Sequence, residues 1–125
     1  MATPEGATDR GLSSSQRISR SQEFLEAYSQ ERKWVGRAMV LFLREGKGAS
    51  LRLGVVASKK VGKAHQRNRA RRRLREAWRL NRHCFDGAVD VVLVARRGAV
   101  SEPFERIEWE LMKLARRAGL VHSAG

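Results

Sequence analysis

A two-layer α+β sandwich is the fold that three features of this 125-residue sequence predict. Apolar residues recur at helical spacing in three separate segments. Two apolar runs of strand length flank a Gly-containing turn between the first and second of these segments. A third, almost wholly apolar run lies between the second and third. Helix, strands, helix, strand and helix thus follow one another, and the length suits one hydrophobic core rather than two.

The first helix is expected over roughly residues 20–29, with Ile18, Phe24, Leu25 and Tyr28 along one side. Ser19 or Ser21 can cap it, and Ser19-x-x-Gln22 has the form of a capping box. The run AMVLFLR, residues 38–44, reads as a strand that extends backwards through Trp34 and Val35. In LRLGVVAS, residues 51–58, Leu51, Leu53, Val55 and Ala57 alternate with Arg52, Gly54, Val56 and Ser58, the pattern of a second strand. The turn between the two predicts an antiparallel hairpin.

A long helix follows over roughly 63–82, with Ala70, Leu74, Ala77 and Trp78 as its buried stripe. AVDVVLVA, residues 88–95, is apolar enough to be a central strand. Ser101 and Pro103 are read as the cap and first turn of the last helix. Its buried side is Ile107, Leu111, Leu114 and Ala118, and Gly119 ends it. Trp34, Trp78 and Trp109 are taken as packing residues. Residues 1–16, rich in Gly, Ser, Thr and Pro, form an expected flexible tail, residues 17–119 a single domain, and 120–125 a second tail.

The charge narrows the partner. The net charge is +13, which calls for a polyanion. It is also localised: residues 59–82 hold eleven Lys and Arg against one Glu, whereas residues 83–125 hold six basic and six acidic side chains. A stripe of arginines on a helix that still has an apolar seam is a folded surface and not a loose basic tail. Its candidate contacts with nucleic acid are Lys59, Lys60, Lys63, Arg67, Asn68, Arg69, Arg71, Arg72, Arg75 and Arg79. The lysines stand where a strand gives way to a helix N-terminus, and Gly62 permits close backbone approach there.

No catalytic constellation is expected in the chain itself. The acids are too scattered to hold the cations of a metal nuclease. His65 and His83 would lie about 27 Å apart on a helix, too far to act on one phosphate. His83 with Cys84 falls short of a four-ligand zinc site, so no metal site is expected. The lone Cys84, the absence of an apolar signal segment and of any membrane-length run suggest the cytoplasm and no membrane partner. DNA reading would need small non-arginine side chains on a protruding helix, which are scarce.

Ser58-Lys59-Lys60-Val61-Gly62-Lys63-Ala64 followed by Arg67-Asn68-Arg69-Ala70-Arg71-Arg72-Arg73-Leu74-Arg75 resembles the signature of the bacterial ribonuclease P protein component. Phe24 and Tyr28 stand at that family's first-helix position, and Asp90 to Arg96 is similar to its Asp, apolar strand and Ala-Arg segment. The resemblance covers about residues 17–120. It implies an α-β-β-β-α-β-α order with a left-handed βαβ crossover, ribosomal protein S5 domain 2-like. It also implies a protein that pairs, one per RNA, with a catalytic RNA which uses Mg2+ to remove the 5′ leader of precursor tRNA. On this basis Arg67, Asn68 and Arg69 contact the catalytic RNA, and Phe24, Tyr28 and Phe42 hold the leader. The alternative is a structural RNA-binding protein of ribosomal type, which needs the basic helix but no aromatic cleft. Two positions depart from the family pattern: Arg73, where relatives often carry an apolar residue, and Met39, where some carry an aromatic.

Overall fold

In the computed structural model, residues 16–121 are described. They form α1 (Ser21–Ser29), β1 (Lys33–Val35), β2 (Met39–Arg44), β3 (Leu53–Val56), a 3₁₀ turn (Lys59–Val61), α2 (Ala64–Asn81), a second 3₁₀ turn (Arg82–Cys84), β4 (Asp90–Ala95), α3 (Gly98–Ser101) and α4 (Phe104–Arg117). The architecture is α+β, a four-stranded mixed sheet in the order β1-β2-β4-β3. The tail expected over 1–16 lies almost entirely outside the described residues. At the other end the fold runs past the boundary expected at 119, because Leu120 is buried and Val121 bridges Phe85.

The central place of β4 follows from its composition. Val91, Val92 and Leu93 are fully buried, with Val92 facing one layer and its neighbours the other. A strand apolar on both faces has to be covered on both. β4 therefore inserts between β2, antiparallel with Leu41 opposite Leu93, and β3, parallel with Val55 opposite Leu93. This overturns the expected hairpin between 38–44 and 51–58. The loop between them steps across the end of β4, with Leu51 in the left-handed region at φ 64° and its N–H bound to the Val89 carbonyl at 2.6 Å. Local alternation specifies a strand, but not its neighbour.

The hairpin that does form joins β1 to β2, so Trp34 and Val35 belong to a separate edge strand rather than an extension. The reversal is held by a residue of α4. The Glu110 carboxylate accepts from the N–H groups of Arg37, Ala38 and Met39 at 2.9, 2.8 and 3.2 Å. Gly36 is required here, since a Cβ would collide with that carboxylate.

Helices α2 and α4 pack on one face of the sheet over Met39, Leu41, Leu43, Leu53, Val91 and Leu93. Ala70, Leu74, Ala77 and Trp78 form the buried side of α2 as expected, with Trp78 stacked on Phe85 at 4.6 Å. α4 buries Ile107, Leu111 and Leu114, and Gly119 follows its last turn at φ 82°. Its N-cap is Pro103, not Ser101, which closes the short α3. His83 lies in the 3₁₀ turn beyond α2 rather than on the helix.

α1 covers the other face, where Ala27, Ile18 and Val92 make a second small core. Its N-cap is Arg20 with no side-chain cap bond, so neither serine caps it and the capping box is absent. Leu25, expected on the apolar side, is 60% exposed. What fixes α1 is charge. Asp90 at the start of β4 accepts from Arg44 of β2 at 2.7 Å and from Arg52 at 2.7 and 3.1 Å, together with the N–H groups of Ser50 and Arg52. The same arginines reach α1, Arg44 to Glu26 at 2.7 Å and Arg52 to Glu23 at 2.9 Å. Burial alone would raise the Asp90 carboxyl, but these donors outweigh it and hold the group below the usual carboxylate range.

Candidate RNA interface

The basic surface begins where β3 ends. Ser58 Oγ accepts from the Lys60 N–H at 3.3 Å and turns the chain into the 3₁₀ segment that exposes Lys59 and Lys60. Gly62 then takes φ 146°, where a Cβ would collide with the Gln66 side chain. Gln66 Oε1 accepts from the Lys63 N–H at 2.8 Å, which fixes the first turn of α2. Lys59, Lys60, Lys63 and Arg67 are thereby gathered at the positive end of an 18-residue helix.

Along α2 the predicted residues divide by what they already touch. Arg67 is half-buried and donates to the Gly62 carbonyl at 3.2 Å, so its guanidinium is partly oriented by the protein itself. Asn68 is exposed, and its Oδ1 accepts from Arg71, which also reaches toward the Ala57 carbonyl. The amide oxygen thus aims an arginine one turn away. Arg69 lies on the opposite flank and donates to the Val100 carbonyl at 3.3 Å. Arg72 is exposed and Arg75 half-buried on the same helix. Arg79 departs from the group. It pairs with Glu76 at 2.6 Å, a contact that holds the Glu76 carboxyl low and offsets the local charge.

Arg73, which departs from the family pattern, is engaged by its charged end. Its guanidinium donates to the carbonyls of Ala99, Val100 and Glu102 at 2.9, 3.0 and 2.6 Å, capping α3. Burial, with Arg69 nearby, lowers its pKa from the usual arginine value.

The three aromatics expected in a cleft do come together on the α1 face. The Tyr28 and Phe42 rings meet edge to face with centroids 5.1 Å apart. Phe24 lies directly over Gly54 of β3, where a Cβ would stand 2.5 Å from its Cε1. All three are half-buried and, with Val56 and Val94, form a shallow apolar trough beside the small core. Burial raises the Tyr28 hydroxyl above its usual value, so it stays a protonated donor at neutral pH. Met39 is fully buried on the other face and takes no part in the trough.

Gly54 is the residue on this face whose part the sequence alone did not signal, although a glycine inside a strand marks close approach. Gly54→Ala should lift Phe24 off the sheet and lower stability by about 1–3 kcal/mol. Urea unfolding checks this as a lowered midpoint with an unchanged slope.

The trough and the basic helix lie on opposite faces of the sheet but share the edge strand β3. Val56 borders the trough, and three residues later the chain enters the lysine turn.

Among the described residues no helix is long and apolar enough to cross a membrane. No group of three or more His, Cys, Asp or Glu side chains is placed there to hold a metal ion.

The Ribonuclease P family model matches residues 12–119. The ribonuclease P protein component of Symbiobacterium thermophilum is 39% identical over 103 residues, 82% of this chain and 90% of that one. That of Clostridium botulinum strain Loch Maree is 33% identical over 107 residues, 85% of this chain and 96% of that one. The Staphylococcus aureus RNase P protein structure superimposes with a TM-score of 0.73 at 25% identity, covering 86% of this chain and 98% of the other. The Thermotoga maritima RNase P protein gives 0.70 at 27%, covering 81% and 96%.

Proposed function

The chain belongs to the ribonuclease P protein family, the protein subunit of an endoribonuclease, and from that premise we propose how it divides its surface between two RNAs. Arg67, Asn68 and Arg69, with Lys59, Lys60, Lys63, Arg71, Arg72 and Arg75, bind the catalytic RNA. Phe24, Tyr28 and Phe42 bind the 5′ leader of precursor tRNA. The RNA carries out the hydrolysis with its own Mg2+, and the protein positions the substrate, one protein to each RNA, in the bacterial cytoplasm.

One observation carries this reading. A half-exposed aromatic trough and an arginine helix share a single edge strand, so a protein bound to one RNA can present the trough to another. Base stacking on aromatic faces tolerates any sequence, which suits leaders that differ from gene to gene. The ribosomal-type alternative leaves the trough unexplained.

Phe24→Ala with Tyr28→Ala should reduce preference for leader-bearing over mature tRNA by about ten- to a hundredfold, given roughly 1–3 kcal/mol per stacked base. Binding of the catalytic RNA should be retained. Equal losses for both tRNAs would remove the leader assignment.

A further inference from the structure

The surface formed by α4 and the β1–β2 reversal carries a feature that neither RNA assignment uses. Trp109, expected as a packing residue, is 52% exposed on α4. Arg106 lies 4.9 Å and Lys113 5.1 Å from its ring centroid, one turn before and one turn after it. A recess of about 390 Å³ opens beside the ring, in the size range of small-ligand sites, and carries Arg37, Arg96, Arg106, Lys113 and Arg117. Its one acid, Glu110, is buried and committed to the three N–H groups of the β1–β2 reversal. Arg96 is held in place by the Gly36 carbonyl at 2.6 Å. Val35, 55% exposed on the edge strand, supplies an apolar rim.

We propose that this face is a second single-stranded RNA contact, in which a base stacks on Trp109 and the flanking phosphates lie across Arg106, Lys113, Arg117, Arg37 and Arg96. Charge selects the occupant. Five cations around one exposed ring repel a like-charged copy of this chain and attract a phosphodiester strand. Stacking of a base on an indole exceeds an exposed cation–π contact, so an arriving base can displace either cation from the ring and release it to a phosphate. The site is distinct from α2. Helix α4 lies over β1 and β2, whereas α2 lies over β4 and β3, so the two could hold separate segments of one large RNA.

Tryptophan emission separates this site from the others, because Trp78 is fully buried and Trp34 partly so. A short oligouridylate at low salt should quench the emission of the full chain. Trp109→Leu should remove most of that quench without changing the thermal midpoint. Arg106→Glu with Lys113→Glu should weaken the quench-detected affinity about tenfold or more. The quench should survive Arg67→Ala with Arg69→Ala, which keeps this test independent of the α2 assignment. A quench unchanged by Trp109→Leu, or lost with Arg67→Ala and Arg69→Ala, overturns the proposal. So does an absence of quenching together with a blue shift that grows with protein concentration, which would assign the face to protein contact.

Discussion

Asp90→Ala should cost about 3–5 kcal/mol of unfolding free energy, the scale for removing one member of a buried ion network. Two arginines, Arg44 almost fully buried, would lose their shared acceptor. The loss should reach function, since Arg44 and Arg52 are also the links from the sheet to Glu23 and Glu26 of α1. Loosened α1 means a loosened trough. The pH dependence has a definite sign. Asp90 is held below its unfolded value near 3.8, so its contribution is present above that pH and is lost as pH falls through the folded value. Urea midpoints measured down an acid series should therefore fall more steeply for the native chain than for Asp90→Asn. Parallel acid limbs would show that the network does not hold the carboxylate in its charged form.

Arg67→Ala with Arg69→Ala should weaken binding of the catalytic RNA by about ten- to a hundredfold, roughly 1.4–2.8 kcal/mol. The slope of log affinity against log salt should flatten by about 1.4–1.8, the counterions released at two phosphates. The fold should be unaffected, because the bonds lost are single contacts to the Gly62 and Val100 carbonyls near the surface. Arg79→Ala is the internal comparison. Its guanidinium is bound to Glu76, and removing it should change the slope far less. Equal effects would mean that the surface acts by total charge rather than by placement.

Most of the architecture was legible because it rests on periodicity. The seam of α2 through Ala70, Leu74, Ala77 and Trp78, and the apolar run of β4, fix which element is a docked helix and which strand is central. Strand neighbours were not legible. β3 and β2 follow one another in the chain with a turn between them, yet a more apolar strand arriving later takes the place between them. Capping by Ser19 failed for a related reason, since α1 is positioned by Glu23 and Glu26 against arginines of the sheet, contacts that span many residues.

The candidate site shows the same division. The run from Ser58 to Arg75 is contiguous, so its residues are brought together by one turn and one helix. Tyr28 meets Phe42 across an α1–β2 contact and Phe24 lies on β3, a grouping that only the family resemblance suggested. Glycine at 54 and the exposure of Trp109 depend on what lies opposite them. Helical spacing places Trp109 on α4, but it cannot say that the fold leaves the ring half exposed. Arg73 breaks an apolar pattern and is bound instead by three carbonyls at the end of α3, a short helix that the sequence did not signal.

The role proposed for this protein is to join a catalytic RNA and the leader of its substrate. The most direct measurement is the affinity of the candidate catalytic RNA for leader-bearing and for mature tRNA, at low Mg2+, with and without the protein. The protein should tighten binding of the leader-bearing form and speed its cleavage while leaving mature tRNA nearly unchanged. An equal gain for both forms, or for neither, would contradict the account.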